Sequence, residues 1–260
     1  MPGMSAHATA APAWTLISLR PQGEHVPLRR AAARCGGRVL AVSPWRIRPR
    51  ADPATRAALA AALDAPRVIV SSPAAVRAAA ALQPLTARPG QCWLAVGAGT
   101  ARALREHGIA EVATPTRMDS DGLLALPELA GPEVPVGLVT APGGRGLIAA
   151  HLQARGTPLR RADVYVREPV RLRPADLARL RAAPPGVLAL SSGEALQQVM
   201  AQLPEDLALA WRARPLVAAS ARLATLAADL GFVDVAQAAG PMPQQLVAAA
   251  MAIVTRSPPR

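Results

Sequence analysis

The chain reads as α/β: two similar doubly wound parallel-sheet domains joined by a two-stranded β-ladder. Short β-branched or aliphatic runs alternate with longer Ala/Leu/Arg stretches of helical period, the pattern of parallel sheets covered by helices. The strand–turn–helix units also repeat. Leu16-Ile-Ser-Leu-Arg-Pro-Gln-Gly23 and Leu138-Val-Thr-Ala-Pro-Gly-Gly-Arg145 each open a strand, a Pro/Gly turn, a helix, a Gly stop and a second strand. The two copies are not in tandem, because the first unit precedes three further strand–helix units and the second stands between the two sets. A chain that leaves one domain after a single βα unit, completes the other and returns satisfies that order, and its two crossings form the ladder.

Strands are expected at 14–19, 38–45, 67–70, 93–96, 136–140, 163–167, 187–190, 215–218 and 233–236, with helices filling most of the gaps. The crossing strands fall within 38–50 and 161–171, since the prolines of 46–53 and 168–174 suit interdomain ends better than central strands. Val68-Ile-Val-Ser-Ser-Pro73 and Leu188-Ala-Leu-Ser-Ser-Gly193 are matching buried strands, each closed by a Ser-Ser able to cap the next helix. Leu94 to Leu104 matches Val217 to Leu226, and 112–126 matches 235–247 more loosely. One domain is therefore 14–37 with 172–254, the other 51–160, and 1–13 and 255–260 are tails.

With 260 residues, 51% of them hydrophobic and 18% charged, the chain can bury a core, and its 27 Pro and 19 Gly follow no short period. Disordered, collagen-like and disulfide-stapled classes are excluded. Four Trp, one Tyr and one Phe leave the interior to aliphatic and Ala side chains and make base-stacking platforms scarce. Basic residues outnumber acidic ones 29 to 17, a formal +12, and every basic residue is Arg. That surplus reads either as compositional bias or as attraction to an anionic ligand or nucleic acid, and charge alone does not choose between them. Cys35 and Cys92 lie far apart, outside any CxxC or Cys/His cluster, which argues against zinc and disulfides and makes both read as buried structural thiols. No apolar run approaches the roughly 18 residues of a membrane helix. Residues 1–13 show neither the basic n-region nor the continuous apolar h-region of an export signal, so a cytoplasmic protein is expected.

In open α/β sheets ligands gather outside the carboxyl ends of the strands, where helix N-termini offer free N–H groups and partial positive charge. Ser71, Ser72, Gly97, Thr100, Ser120, Gly143, Gly144, Ser191, Ser192 and Ser220 fall at such loops. Arg20 and Arg145 occupy equivalent post-strand turns, an arrangement suited to gripping carboxylates. N-capping explains each serine taken singly; recurrence in both copies is what points to a ligand. Gly97-Ala-Gly-Thr100 lacks the third glycine of a dinucleotide fingerprint, and Gly143-Gly-Arg-Gly146 lacks the Lys-Ser/Thr end of a P-loop, which disfavours NAD and ATP. His7, His25, His107 and His151 are dispersed, and the last three read as solvated or half-buried helix residues. Neither a metal site nor a catalytic triad is expected. Tyr165, the single tyrosine, lies on an expected crossing strand, where a phenol can either donate a proton to a leaving group or simply pack.

These residues resemble the uroporphyrinogen-III synthase family. The resemblance runs from Leu16 to about Ala252 and rests on the order of Leu19-Arg-Pro21, Val70-Ser-Ser-Pro-Ala-Ala-Val-Arg77, Ala95 to Leu104, Ser120-Asp-Gly-Leu-Leu124, Gly143-Gly-Arg145 and Val164-Tyr165. It implies two α/β domains joined by a β-ladder, and a cofactor-free enzyme that binds the linear tetrapyrrole hydroxymethylbilane between them. By resemblance Tyr165 matches the family's functionally implicated tyrosine. Ser191-Ser-Gly193 stands where a Ser-Pro pattern is commoner, and Ser220-Ala-Arg-Leu223 where a Gly-Pro-x-Thr turn is frequent. The implied reaction is loss of the terminal hydroxyl, attack by the substituted carbon of ring D, and passage through a spiro-pyrrolenine to the ring-inverted macrocycle. The implied setting is a monomer receiving substrate by transient handover from hydroxymethylbilane synthase, with no nucleic-acid or membrane partner. A non-enzymatic two-domain binding protein for a small anionic ligand is the alternative and would use the same loops without turnover. A nucleic-acid binder is disfavoured by the scarcity of aromatics and the lack of an Arg stripe on one helix.

Overall fold

The computed structural model describes residues 14–131, 134–143 and 146–256. The expected tail 1–13, residues 257–260, and the candidate residues Gly144 and Arg145 lie outside the described residues. The chain forms two compact units, one being Ile47–Glu168 and the other the described residues on either side of it.

β1 (Trp14–Ser18), α1 (Val26–Ala33) and β2 (Gly37–Ala41) make a parallel βαβ unit, with Trp14 opposite Gly37 and Ser18 opposite Ala41. β3 (Trp45–Pro49) then carries the chain across the boundary between the units. The second unit continues with α2 (Pro53–Leu63), β4 (Arg67–Val70), α3 (Pro73–Leu82), β5 (Cys92–Ala95) and α4 (Ala98–Glu106). It closes with α5 (Ser120–Leu124), β6 (Val136–Thr140), α6 (Leu147–Ala154) and β7 (Leu159–Asp163). β8 (Tyr165–Pro169) pairs with β3 as a separate two-stranded sheet and returns the chain to the first unit. The flanking bonds, Arg50 N–H to the Val164 carbonyl and Val170 N–H to the Pro44 carbonyl, both 2.9 Å, make that ladder antiparallel. There follow α7 (Pro174–Arg181), β9 (Val187–Leu190), α8 (Gly193–Met200), α9 (Glu205–Arg212), β10 (Leu216–Ala218), α10 (Ala221–Asp229), β11 (Val235–Gln237) and α11 (Pro243–Arg256). Thr255 and Arg256, expected in the C-terminal tail, are the last residues of α11.

The two central sheets are parallel throughout, ordered β11-β10-β9-β1-β2 and β5-β4-β6-β7. The order realises the repeat: β6 stands in its sheet as β1 does in the other, β7 as β2, β4 as β9 and β5 as β10. The counterpart of β11 is a single bridge between Leu94 and Ala113. Helices cover both faces because the strands are apolar on both. In β4, Val68 and Val70 join the core that includes Leu59, Val76 and Leu104, while Ile69 joins the opposite core with Leu123, Leu138 and Leu152.

Two strand expectations change. The passage 38–45 is two strands, β2 in a central sheet and β3 in the ladder, because Val42 N–H still reaches the Ser18 carbonyl but Pro44 has no N–H to continue. The passage 163–167 is likewise the end of β7 and the start of β8. Val164 is the residue of exchange: its N–H donates to the Thr140 carbonyl at 3.0 Å and its carbonyl accepts from Arg50. Among the described residues no helix is long and apolar enough to cross a membrane.

Candidate active site

At the carboxyl edge of the four-stranded sheet, strands β4 and β6 end beside the beginning of β8 around an open cavity of about 200 Å³. Such edges bind ligands because the parallel strands stop together and the following helices begin there. Ser71, Ser72, Ser120, Gly143 and Tyr165 line this cavity together. Thr140, Arg161 and Arg167 join them.

Each hydroxyl has a local reason for its place. Ser72 is the extended N-cap of α3, and its Oγ accepts from Ala75 N–H at 3.1 Å, with Pro73 filling the first helical position. Ser71 Oγ donates to Thr140 Oγ1 at 2.8 Å, which ties the ends of β4 and β6. Ser120 is the first residue of α5 rather than its cap. Asp119 has that role, accepting from Gly122 N–H at 2.8 Å, while Arg117 spans Asp119 and Asp121 at 2.9 Å each.

Tyr165 packs its ring in the core with only 3% of its surface exposed, and its hydroxyl lies 3.2 Å from Ser72 Oγ. Arg161 donates through Nη2 to Asp163 Oδ1 at 2.9 Å, and this pair is partly solvated. Sequence reasoning missed Thr140, Arg161 and Arg167. The signal available was alternation, since Arg161, Asp163, Tyr165 and Arg167 recur every second residue and a strand places such residues on one face.

Gly97 and Thr100 sit one loop away, outside the cavity lining. Gly97 is the extended N-cap of α4, where a Cβ would stand 3.3 Å from Met118 Cβ, and Thr100 is buried at 4%. The other candidates belong to the first unit. Ser192 caps α8 through Ala195 N–H at 3.3 Å, and Ser220 caps α10 through Leu223 N–H at 3.4 Å. Ser191 is exposed after β9. At Gly193 a Cβ would meet a methyl of Leu226, so a larger residue there would need that side chain to turn aside.

Arg20 follows β1 with its Nε buried and without a hydrogen-bond partner; burial pushes its guanidinium below the usual range, partly offset by Glu24. His25 corrects its sequence reading. It is the buried N-cap residue of α1, 4% exposed, with Nδ1 2.9 Å from Ser18 Oγ and Nε2 2.9 Å from Ser43 Oγ. The free cysteines differ too: Cys35 is exposed and Cys92 half-buried.

Residues 27–248 match the family described as uroporphyrinogen-III synthase HemD. The chain belongs to the uroporphyrinogen-III synthase family. Its fold agrees with solved structures of low identity. A mutant uroporphyrinogen III synthase from the extremely thermophilic bacterium Thermus thermophilus is 18% identical, with a TM-score of 0.61 over 94% of this chain and 100% of that one. The uroporphyrinogen-III synthetase from Helicobacter pylori 26695 is 14% identical, with a TM-score of 0.57 over 92% and 99%. The family resemblance carried by the ordered motifs and the fold class read from the repeat both stand on these findings.

Proposed function

We propose that the chain cyclises hydroxymethylbilane with inversion of ring D to uroporphyrinogen III, releasing water, and that Tyr165 is the general acid. Tyr165 protonates the departing terminal hydroxyl, and the bond to it breaks to give water and an azafulvene cation. The substituted carbon of ring D attacks to form the spiro-pyrrolenine, which fragments and recloses at the free carbon. The proton lost as that ring regains aromaticity returns to the phenolate. Without a protein the linear chain closes uninverted, so catalysis is mainly the imposition of conformation.

The observation that carries this reading is the meeting of the phenol with two guanidinium groups and several hydroxylated strand ends around one cavity. The substrate bears two carboxylates on every pyrrole ring, and Arg side chains and helix starts are suited to them. About 200 Å³ is less than the ~300–1,000 Å³ of a pocket enclosing a whole small ligand, so the cavity takes one ring with its acid side chains. Further carboxylates are assigned to Gly97, Thr100, Gly144 and Arg145 and, in the first unit, to Arg20, Ser191, Ser192 and Ser220. The reading includes a monomer in the cytoplasm, supplied by transient handover from hydroxymethylbilane synthase.

The test couples the protein to freshly generated hydroxymethylbilane and separates the products by chromatography. Type III product is expected; type I alone would leave only binding. Tyr165→Phe is expected to lower turnover, by up to the ~10²–10⁴-fold of a general acid, while binding of the tetrapyrrole stays largely intact. Unchanged turnover removes Tyr165 from the mechanism.

A further inference from the structure

Ser72 has two partners and one proton. Its Oγ accepts from Ala75 N–H at 3.1 Å as the cap of α3 and lies 3.2 Å from Tyr165 Oη. We propose that Ser72 is a positioning residue for Tyr165: its hydroxyl donates to the phenol oxygen, which leaves the phenolic hydrogen free to donate into the cavity. This rests on the reading of Tyr165 as the general acid.

The direction follows from the cap. The N–H groups and partial positive charge at the start of α3 draw a lone pair of Oγ toward the helix, so the serine hydrogen is turned to the opposite side. Tyr165 Oη is the acceptor within reach there among the described residues. The neighbouring Ser71 cannot do this work, because its hydroxyl donates to Thr140 Oγ1 at 2.8 Å. A phenol oxygen can accept one hydrogen bond while donating another. Were the bond reversed, the phenolic hydrogen would be held against the start of α3 and lost to a leaving group. The buried ring leaves the hydroxyl little other freedom, since Tyr165 is packed within the core and lines the cavity.

The chain contains one tyrosine, so the Raman tyrosine doublet reports on Tyr165 alone and needs no substrate. Its intensity ratio distinguishes a phenol that accepts from one that donates. The wild type and Ser72→Thr should show a phenol that accepts from residue 72 while donating to solvent in the open cavity. Ser72→Gly removes the hydroxyl yet keeps a tolerated cap residue, and should lose that signature. Ser72→Asp keeps a strong cap acceptor that cannot donate when ionised, and should turn the phenol into a donor only. In turnover, Ser72→Gly should lower kcat roughly tenfold, the scale of one neutral hydrogen bond, with KM unchanged and Ser72→Thr restoring it. A doublet unmoved in Ser72→Gly overturns the proposal, as does a rise in KM with kcat intact, which would make Ser72 a substrate contact. A wild type yielding only the type I isomer sinks the reading of function instead, whatever the doublet shows.

Discussion

A buried imidazole with a serine on each ring nitrogen is held neutral by its surroundings. Burial, then Arg29, then Arg20, push the proton affinity of His25 from its ordinary 6.5 down to about 4. Between those values the unfolded chain binds a proton that the folded chain refuses, so stability falls as pH falls through that window and His25 adds no slope above or below it. At 1.36 kcal/mol per unit the loss across the whole window is on the order of 3 kcal/mol. His25→Gln removes the titrating group. Urea midpoints measured at several pH values between 7 and 4 should decline more steeply in the wild type than in the variant, the carboxylates being common to both. Parallel declines would mean that the ring is charged or solvated in the folded state. This residue was hidden from sequence reading because its helical neighbourhood predicts exposure, whereas two serines distant in sequence supply its partners. Tyr165, Ser71, Ser72, Ser120 and Gly143 were legible because they stand where parallel strands stop or the chain crosses between units. Arg161 and Arg167 were not, since a chain with 29 basic residues offers arginine everywhere and only their alternation about Tyr165 marks them.

Strands wholly inside a parallel sheet declared themselves: β4, β6 and β9 occupy the predicted residues 67–70, 136–140 and 187–190. Each is a short aliphatic run with turn residues on both sides, and both faces are covered, so composition alone sets the limits. Where a strand exchanges one partner for another, composition does not change, and the breaks at Val42–Pro44 and at Val164 pass unnoticed. A glycine within β6 records a contact that no periodicity reveals. A Cβ at Gly137 would fall on the Ala62 carbonyl of α2, a backbone atom that cannot swing aside. Gly137→Ala should therefore destabilise the Ile47–Glu168 unit by about 3 kcal/mol, the upper end of the cost of overpacking. Gly99→Ala is the matched control, because its Cβ would meet only Pro73 Cγ at 3.7 Å on a helix that favours alanine. Thermal or denaturant unfolding of the two variants decides the matter; equal losses would place α2 farther from β6 than this packing allows.

At the scale of the whole molecule the formal +12 admits two origins, compositional bias and attraction of a polyanion, and ionic strength separates them. A field of that sign raises the encounter rate of an anionic substrate by about 10–10³-fold when unscreened. Raising monovalent salt from about 0.01 M to about 1 M shortens the screening length from ~30 Å to ~3 Å, so encounter must then depend on contact alone. If the charge serves capture of hydroxymethylbilane, kcat/KM should fall at least about tenfold across that range, with kcat unchanged. The share of type III isomer should also hold, because inversion depends on short-range positioning within the site. A flat kcat/KM would assign the arginine surplus to composition. A falling share of type III product would show that long-range charge helps to fold the substrate as well as deliver it.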